Sequence, residues 1–190
     1  MKLEDLKSRD EIGLVLKSMG LNGTAAEIGV AFGEHAEQIL QNSSLKLLYL
    51  VDPWNYVPNQ SSVGYGDMIK DWEGCYKYCQ EKMKRYPDRH TMLRMTSEQA
   101  SRCIPDCSLD FVYIDANHMS PMTDQDLEYW YPKVKVGGIF GGHDYHEYQN
   151  EIYTCNVKTA VDKFFQRPPY ELIVVPGEVP SWYMQVGKLK

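Results

Sequence analysis

The sequence predicts a single α/β domain built on a mostly parallel sheet, with helices on both faces of that sheet. Apolar runs typical of buried strands alternate with helical patterns along nearly all of the 190 residues. The runs that begin at Leu109 and Gly137 stop at Asp115 and Asp144, and the helix-like segment 123–130 lies between them. A strand, a crossover helix and a second strand indicate a parallel sheet, which binds ligands at the carboxyl ends of its strands.

Composition and charge limit the class of protein. The chain is 43% hydrophobic and 24% charged, with a net charge of -6 and a pI of about 5.4. No basic stretch suggests a nucleic-acid partner. The charged segment 1–10 lacks the apolar core of a signal peptide, and no apolar run has membrane-spanning length. We therefore expect a cytoplasmic protein with no membrane partner, and the sequence leaves open whether it forms a homo-oligomer.

The predicted elements follow one another within one domain of residues 1–190. Helical spacing of apolar residues in 1–20 predicts a cover that either flanks a site or simply packs on the sheet. Residues 171–175 and 182–186 predict an antiparallel hairpin at the sheet edge. The other strands are predicted at 24–30, 45–51, 91–95, 109–115 and 134–140, and the other helices at 35–42, 67–86, from 96, at 124–130 and at 156–165.

The turn after the first strand has the pattern Glu27-x-Gly29-x3-Gly33. Glycines at such a turn let the backbone approach a ligand, and the following helix N-terminus favours electron-rich groups. Asp52 ends the second strand, where an acid binds the two hydroxyls of a ribose, although it could instead cap the turn before Pro53. The spacing differs from G-x-G-x-x-G, which argues against a nicotinamide-dependent oxidoreductase.

Two further segments lie near the expected positions of a nucleoside and an acceptor. Ser97 and Glu98 follow the third strand, beside the base of a bound nucleoside, and could equally form a capping box. The loop 53–66 is long for such a connection, which suits either a lid or an ordered surface loop. The aromatic residues that would either contact substrate or point inward are Trp54, Tyr56 and Tyr65.

Ionisable side chains gather after the fourth and fifth strands. Asp115 and His118 follow the fourth strand, and His143 and Asp144 follow the fifth. Two carboxylates with nearby imidazoles suggest a hard-metal site and a general base. Each acid could instead cap the turn that follows it, and His118 could face solvent. His146 either contacts substrate or lies in a solvated loop.

This ordered set of features resembles the class I S-adenosylmethionine-dependent methyltransferases over nearly the whole chain. The resemblance is carried by the segment 27–33, by Asp52 and by the closing strand pair. It implies a Rossmann-like seven-stranded sheet, mostly parallel, with a C-terminal antiparallel strand pair. The residues that it implies for the methionine part, the ribose and the adenine are, in turn, Glu27, Gly29 and Gly33, then Asp52, then Ser97 and Glu98.

The segments 114–118 and 137–144 are similar to metal-dependent sugar O-methyltransferases of the macrocin type and to cephalosporin-modifying methyltransferase-like proteins. In that family the first aspartate and an acidic pair after the fifth strand bind magnesium, and a histidine three residues after the first aspartate is the base. The matching residues are Asp115, His118 and Asp144, and Asp115 is also expected beside the cofactor. His143 replaces the first acid of the pair, and imidazole suits manganese, iron or zinc better than magnesium.

We therefore expect an S-adenosylmethionine-dependent O-methyltransferase that uses a divalent cation, Mg or Mn, and acts on a hydroxyl of a sugar or glycan. By the same resemblance, the cation would bind at Asp115 and Asp144, with His143 as a further candidate ligand, and His118 would take the proton. A catechol, another phenol or another small molecule is an alternative acceptor. An NAD-dependent oxidoreductase and a non-catalytic cofactor-binding domain are alternatives from other classes.

Overall fold

The computed structural model describes residues 1–55, 71–151, 154–166 and 171–187. The strands in this part are β1 (Thr24–Ile28), β2 (Leu47–Asp52), β3 (His90–Arg94), β4 (Leu109–Ile114), β5 (Val134–Gly142), β6 (Tyr148–Gln149), β7 (Thr154–Cys155), β8 (Ile173–Val175) and β9 (Ser181–Gln185). The α-helices are α1 (Ile12–Ser18), α2 (Glu34–Asn42), α3 (Trp72–Met83), α4 (Ser97–Cys103), α5 (Met122–Trp130) and α6 (Val157–Phe164). Short 3-10 turns span Leu3–Asp5, Arg9–Glu11 and Tyr131–Lys133.

Seven of the strands form one sheet in the order β3-β2-β1-β4-β5-β9-β8. The first five strands of the chain pair in parallel, whereas β9 runs antiparallel to both β5 and β8. This arrangement confirms the predicted fold class, including the C-terminal antiparallel pair. The two-residue strands β6 and β7 form a separate ribbon that was not predicted, because two residues are too few to show strand periodicity.

Helices cover both faces of the sheet, as predicted. Every residue of β4 is buried, so its alternating side chains enter two different layers. Phe111 and Tyr113 pack in the layer that contains α1, α2 and α3, whereas Val112 packs in the layer that contains α4, α5 and α6. The central strands therefore fix both layers and hold the carboxyl edge of the sheet in place.

The strand register brings the ends of β1, β4 and β5 to the same edge. The Asp115 amide continues the ladder beyond β4 by donating to the Ile28 carbonyl at 2.7 Å. In the same way, the His143 amide donates to the Ile114 carbonyl at 2.9 Å. The acidic and imidazole side chains predicted to meet at this edge do so because the backbone hydrogen bonds extend past the strand ends.

The N-terminal residues fold as two 3-10 turns followed by α1. Leu3 and Leu6 are 4% and 5% exposed and join the layer that contains α1 and α2. This burial anchors the segment against the sheet. It also places Arg9, at the start of the second turn, near the carboxyl edge.

Candidate functional site

A compact cluster of ionisable groups lies at the carboxyl ends of β4 and β5. One potential ligand atom from each of Asp115, His118 and Asp144 lies within 4.8 Å of those of the other two. His118 Nε2 is 3.0 Å from Asp144 Oδ2 and 3.9 Å from Asp115 Oδ1. The structure thus brings together the three residues that match the family's metal and base positions.

Hydrogen bonds hold the loop that carries His118 in place. The Thr123 hydroxyl donates to the Asn117 carbonyl at 2.9 Å, and the Met119 amide donates to Asn117 Oδ1 at 3.0 Å. The Asn156 amide, at the start of α6, donates to the His118 carbonyl at 2.9 Å. Contacts from two helices therefore hold the imidazole between the two carboxylates.

His143 joins the cluster through the second carboxylate. Its Nδ1 is 3.2 Å from Asp144 Oδ2 and 3.9 Å from Asp115 Oδ1. Asp144 itself has φ of +55°, in the left-handed region that non-glycine residues seldom adopt and that recurs at functional sites. This backbone conformation follows directly after β5 and lets two successive side chains, His143 and Asp144, meet in the cluster.

The charges within the cluster support one another. Burial lowers the pKa of His118, but the hydrogen bonds and charges of Asp115 and Asp144 raise it by more, to about 10. Burial alone would raise the pKa of Asp144, and its contacts with His118 and His143 hold it well below its usual range instead. At neutral pH the cluster is therefore an imidazolium held by a carboxylate pair.

The glycine turn lies against the same cluster. A Cβ on Gly29, whose φ is +84°, would lie 2.0 Å from the carbonyl oxygen of Asp115. Gly33 has φ of +76°, and a Cβ there would lie 2.8 Å from Cys79 Sγ. Both positions therefore require glycine, the first because the turn after β1 passes directly over the end of β4.

Asp52 lies beside this turn, and both of its carboxylate oxygens accept backbone hydrogen bonds. Oδ2 accepts from Val30 and Ala31 at 3.0 and 2.9 Å, and Oδ1 accepts from Trp54 at 2.6 Å. Burial raises the pKa of Asp52, and these backbone groups oppose that rise. Asp52 ties the glycine turn to the end of β2, and ribose binding through its remaining lone pairs stays a prediction.

Glu27 is buried inside the turn at 2% exposure. Its Oε1 lies 3.2 Å from Nδ1 of His35 on α2, a residue that the sequence did not single out. Burial raises the pKa of Glu27, while His35 opposes that rise. Among the described residues, Glu27 Oε2 has no hydrogen-bond partner, so one oxygen of this carboxylate is left for another group.

The candidate adenine contacts have other partners in the structure. The Ser97 hydroxyl donates to Asp126 and accepts from Trp130 Nε1, the latter at 2.8 Å. Glu98 pairs with Arg102 on the same helix. The capping box of this helix is formed by Thr96 and Gln99. Adenine binding by Ser97 and Glu98 therefore stays a prediction.

The candidate substrate residues differ in their positions in the structure. Trp54 is 0% exposed, and its Nε1 donates to the Ala31 carbonyl at 2.8 Å, so the predicted substrate contact is wrong and Trp54 is a core residue. Tyr56 and Tyr65, with most of the proposed lid 53–66, lie outside the described residues. His146 is partly buried beside Asp144, whose carbonyl accepts its amide at 2.6 Å.

Arg9 is a residue of the site that the sequence did not reveal. Its Nη1 donates to Asp115 Oδ2 at 3.0 Å, across a separation of 106 residues. Burial lowers the pKa of Arg9, but Tyr113 and Asp115 raise it by more, so the guanidinium stays charged. A lone arginine in a charged N-terminal segment carries no motif, so only the folded chain shows this contact.

Comparison with known proteins identifies the family. A model of the methyltransferase domain family matches residues 26–145, which is more than half of the chain and contains the glycine turn and the acidic cluster. A search of curated proteins gives no match. In the ranges that the structure describes, every helix is too short or too polar to traverse a bilayer.

Solved structures share the fold at low sequence identity. A candidate caffeoyl-CoA O-methyltransferase from Staphylococcus aureus is 12% identical, with a TM-score of 0.67 over 97% of this chain and 85% of that one. An O-methyltransferase from Bacillus cereus in complex with SAH is 12% identical, with a TM-score of 0.64 over 97% and 84%. An rRNA methylase from Streptococcus thermophilus is 13% identical, with a TM-score of 0.63 over 100% and 99%. The chain therefore belongs to the methyltransferase domain family and has the fold of the class I S-adenosylmethionine-dependent methyltransferases.

Proposed function

We propose that the protein transfers a methyl group from S-adenosylmethionine to a hydroxyl of a sugar or glycan, with the help of a divalent cation. One observation carries the proposal. The cluster of Asp115, His118 and Asp144 lies directly against the Gly29 turn, since the Asp115 carbonyl would be 2.0 Å from a Cβ at that turn. A methyl donor held by the turn would therefore lie next to groups suited to activate a hydroxyl.

The donor set fits a divalent cation. Asp115 and Asp144 supply carboxylate oxygens, and His118 and His143 lie within 4 Å of them. The imidazolium of His118 offsets only one of the two carboxylate charges, so the cluster keeps a negative charge that a cation could take up. Mixed carboxylate and imidazole ligands favour manganese over magnesium.

The chemistry follows from what each group can do. The sulfonium methyl is already electrophilic, so the acceptor hydroxyl must be made a better nucleophile and be oriented. When bound, a divalent cation would supply Lewis acidity that lowers the pKa of a nearby hydroxyl. Asp115 and Asp144 would hold that positive charge at the sheet edge, and His118 would accept the acceptor's proton once its imidazole is neutral.

The acceptor class is the finer part of the proposal. The net charge of -6 supports a small molecule or glycan rather than a nucleic acid. A sugar is favoured by the segments around Asp115 and Asp144, which are similar to sugar O-methyltransferases. A catechol is the second candidate, because a neighbour in fold is named as a caffeoyl-CoA O-methyltransferase. Sugars and catechols both offer neighbouring hydroxyls to one cation.

The test is a methyl-transfer assay with labelled S-adenosylmethionine and parallel panels of sugars and catechols. With manganese, the wild type should label a sugar acceptor, and excess EDTA or Asp115→Asn should abolish labelling. Asp106→Asn is the matched control, because Asp106 is an exposed acid paired with Lys133 far from the edge. Full activity in EDTA would overturn the metal requirement, and labelling of catechols alone would replace the sugar with the second candidate.

A further inference from the structure

We propose that Arg9 binds the carboxylate of the methionine part of S-adenosylmethionine, which makes the N-terminal segment a part of the cofactor site. The inference rests on the proposed function for the use of this cofactor. It assigns a role to a residue outside every motif of the sequence.

The position of Arg9 is fixed from two sides. The buried side chains of Leu6 and Ile12 anchor the backbone on either side of its 3-10 turn. The guanidinium then reaches Asp115 at 3.0 Å while a third of its side chain stays exposed. Arg9 is therefore held in place and still open to a ligand at the edge.

The guanidinium lies beside the turn that is expected to hold the methionine part. It contacts the side chain of Asp115, and the backbone carbonyl of the same residue is the atom that a Cβ on Gly29 would strike. Burial raises the pKa of Glu27, and the charge of Arg9 is among the groups that oppose this rise, so the two side chains interact across the turn.

The charges match an amino acid group. The methionine part carries an ammonium and a carboxylate. Glu27 offers the ammonium a buried oxygen, Oε2, that has no partner among the described residues. Near Asp115 the methionine carboxylate would be repelled unless a cation on the side of the glycine turn offset that charge. Arg9 supplies that cation, and its planar guanidinium can bind a carboxylate with two parallel hydrogen bonds.

A purely structural role for Arg9 makes a different prediction. If its only role were to hold the N-terminal segment against Asp115, its removal would lower the affinity for all ligands of the cofactor site equally, or for none of them. If Arg9 binds the carboxylate, its removal would lower the affinity only for ligands that carry a carboxylate. S-adenosylhomocysteine and 5′-methylthioadenosine form such a pair, because both contain the thioether and adenosine but only the first has the amino acid group.

The experiment is calorimetric titration of the full chain with both ligands. We expect Arg9→Gln to lower the affinity for S-adenosylhomocysteine by roughly 10- to 100-fold, the range for a charge-assisted hydrogen bond. The affinity for 5′-methylthioadenosine should not change. Arg9→Lys keeps the charge but lacks the planar guanidinium, and should lose only a part of the affinity that Arg9→Gln loses. Arg85→Gln is the matched control, since Arg85 is an exposed arginine paired with Glu37, and should change neither ligand.

Equal affinity of wild type and Arg9→Gln for S-adenosylhomocysteine would overturn the assignment, and so would an equal loss for both ligands. If Arg9→Gln does not fold, Arg9→Lys is compared instead: a smaller loss of affinity for S-adenosylhomocysteine alone supports the assignment, and no loss or an equal loss for both ligands overturns it. A wild type that binds 5′-methylthioadenosine as tightly as S-adenosylhomocysteine would also overturn it. A wild type that binds neither ligand would overturn the proposed function and, with it, this inference.

Discussion

Replacing Asp126 by Asn should stabilise the protein, and the gain should grow as the pH rises. Asp126 lies in α5 at 6% exposure and accepts a hydrogen bond from the Ser97 hydroxyl. Burial raises its pKa from 3.8 to about 7, and the Ser97 hydrogen bond opposes that rise. Asn keeps an oxygen that can accept from Ser97 and carries no charge, so it mimics the neutral acid.

The sign and size follow from proton linkage. An acid whose pKa is raised by folding ionises first in the unfolded chain, so stability falls as the pH rises from about 3.8 to about 7 and is level above that. The whole change corresponds to roughly 4 kcal/mol. Between pH 5 and pH 8.5 the advantage of Asp126→Asn over the wild type should therefore grow by roughly 2–3 kcal/mol.

Urea unfolding followed by circular dichroism at pH 5, 6, 7 and 8.5 measures this difference. Asp124→Asn is the control on the same helix, because Asp124 is paired with Lys163 at 3.4 Å and is far less buried. Its stability relative to the wild type should not show this growth with pH. If the wild type and Asp126→Asn gave parallel profiles, the buried carboxylate would not be the source of the pH dependence, and the reasoning would fail.

Three further predictions concern the site. Gly29→Ala should abolish binding of S-adenosylhomocysteine in calorimetry, because its Cβ would lie 2.0 Å from the Asp115 carbonyl; retained affinity would contradict the close approach. His118→Gln should lower turnover by roughly a hundredfold or more while S-adenosylhomocysteine still binds; undiminished turnover would remove His118 from the mechanism. In EDTA, NMR titration should find a pKa of about 10 for His118, and Asp144→Asn should lower it; an unchanged value would show that Asp144 does not hold the proton there.

The parts of the structure that were predictable depend on local patterns. Strand periodicity located β4 and β5, and parallel pairing then required Asp115 and Asp144 to lie at one edge. The sequence predicted that the backbone at Gly29 passes close to another group, because glycine at the end of a strand usually marks a positive φ or a close backbone contact. These inferences needed neighbours in sequence and the geometry of a parallel sheet, and nothing more.

The parts that were missed depend on contacts between distant segments. Arg9 meets Asp115 across 106 residues, and no periodicity records such a pair. Trp54 follows a strand in a loop rich in aromatic residues, where an inward and an outward side chain look the same in sequence. Its burial is decided by the Ala31 carbonyl, which accepts from the indole, and by the ring of Tyr76 at 5.1 Å.

The charge of His118 links its proposed role as a base to the binding of the cation. An imidazole near its ordinary pKa of about 6.5 would be an adequate base at neutral pH. Between Asp115 and Asp144 its pKa is about 10, so it holds a proton and cannot accept another. A second positive charge on these carboxylates would lower that pKa, so the base role depends on the cation. Addition of manganese should therefore shift the titration of His118 toward lower pH; if it does not, another group must take the proton.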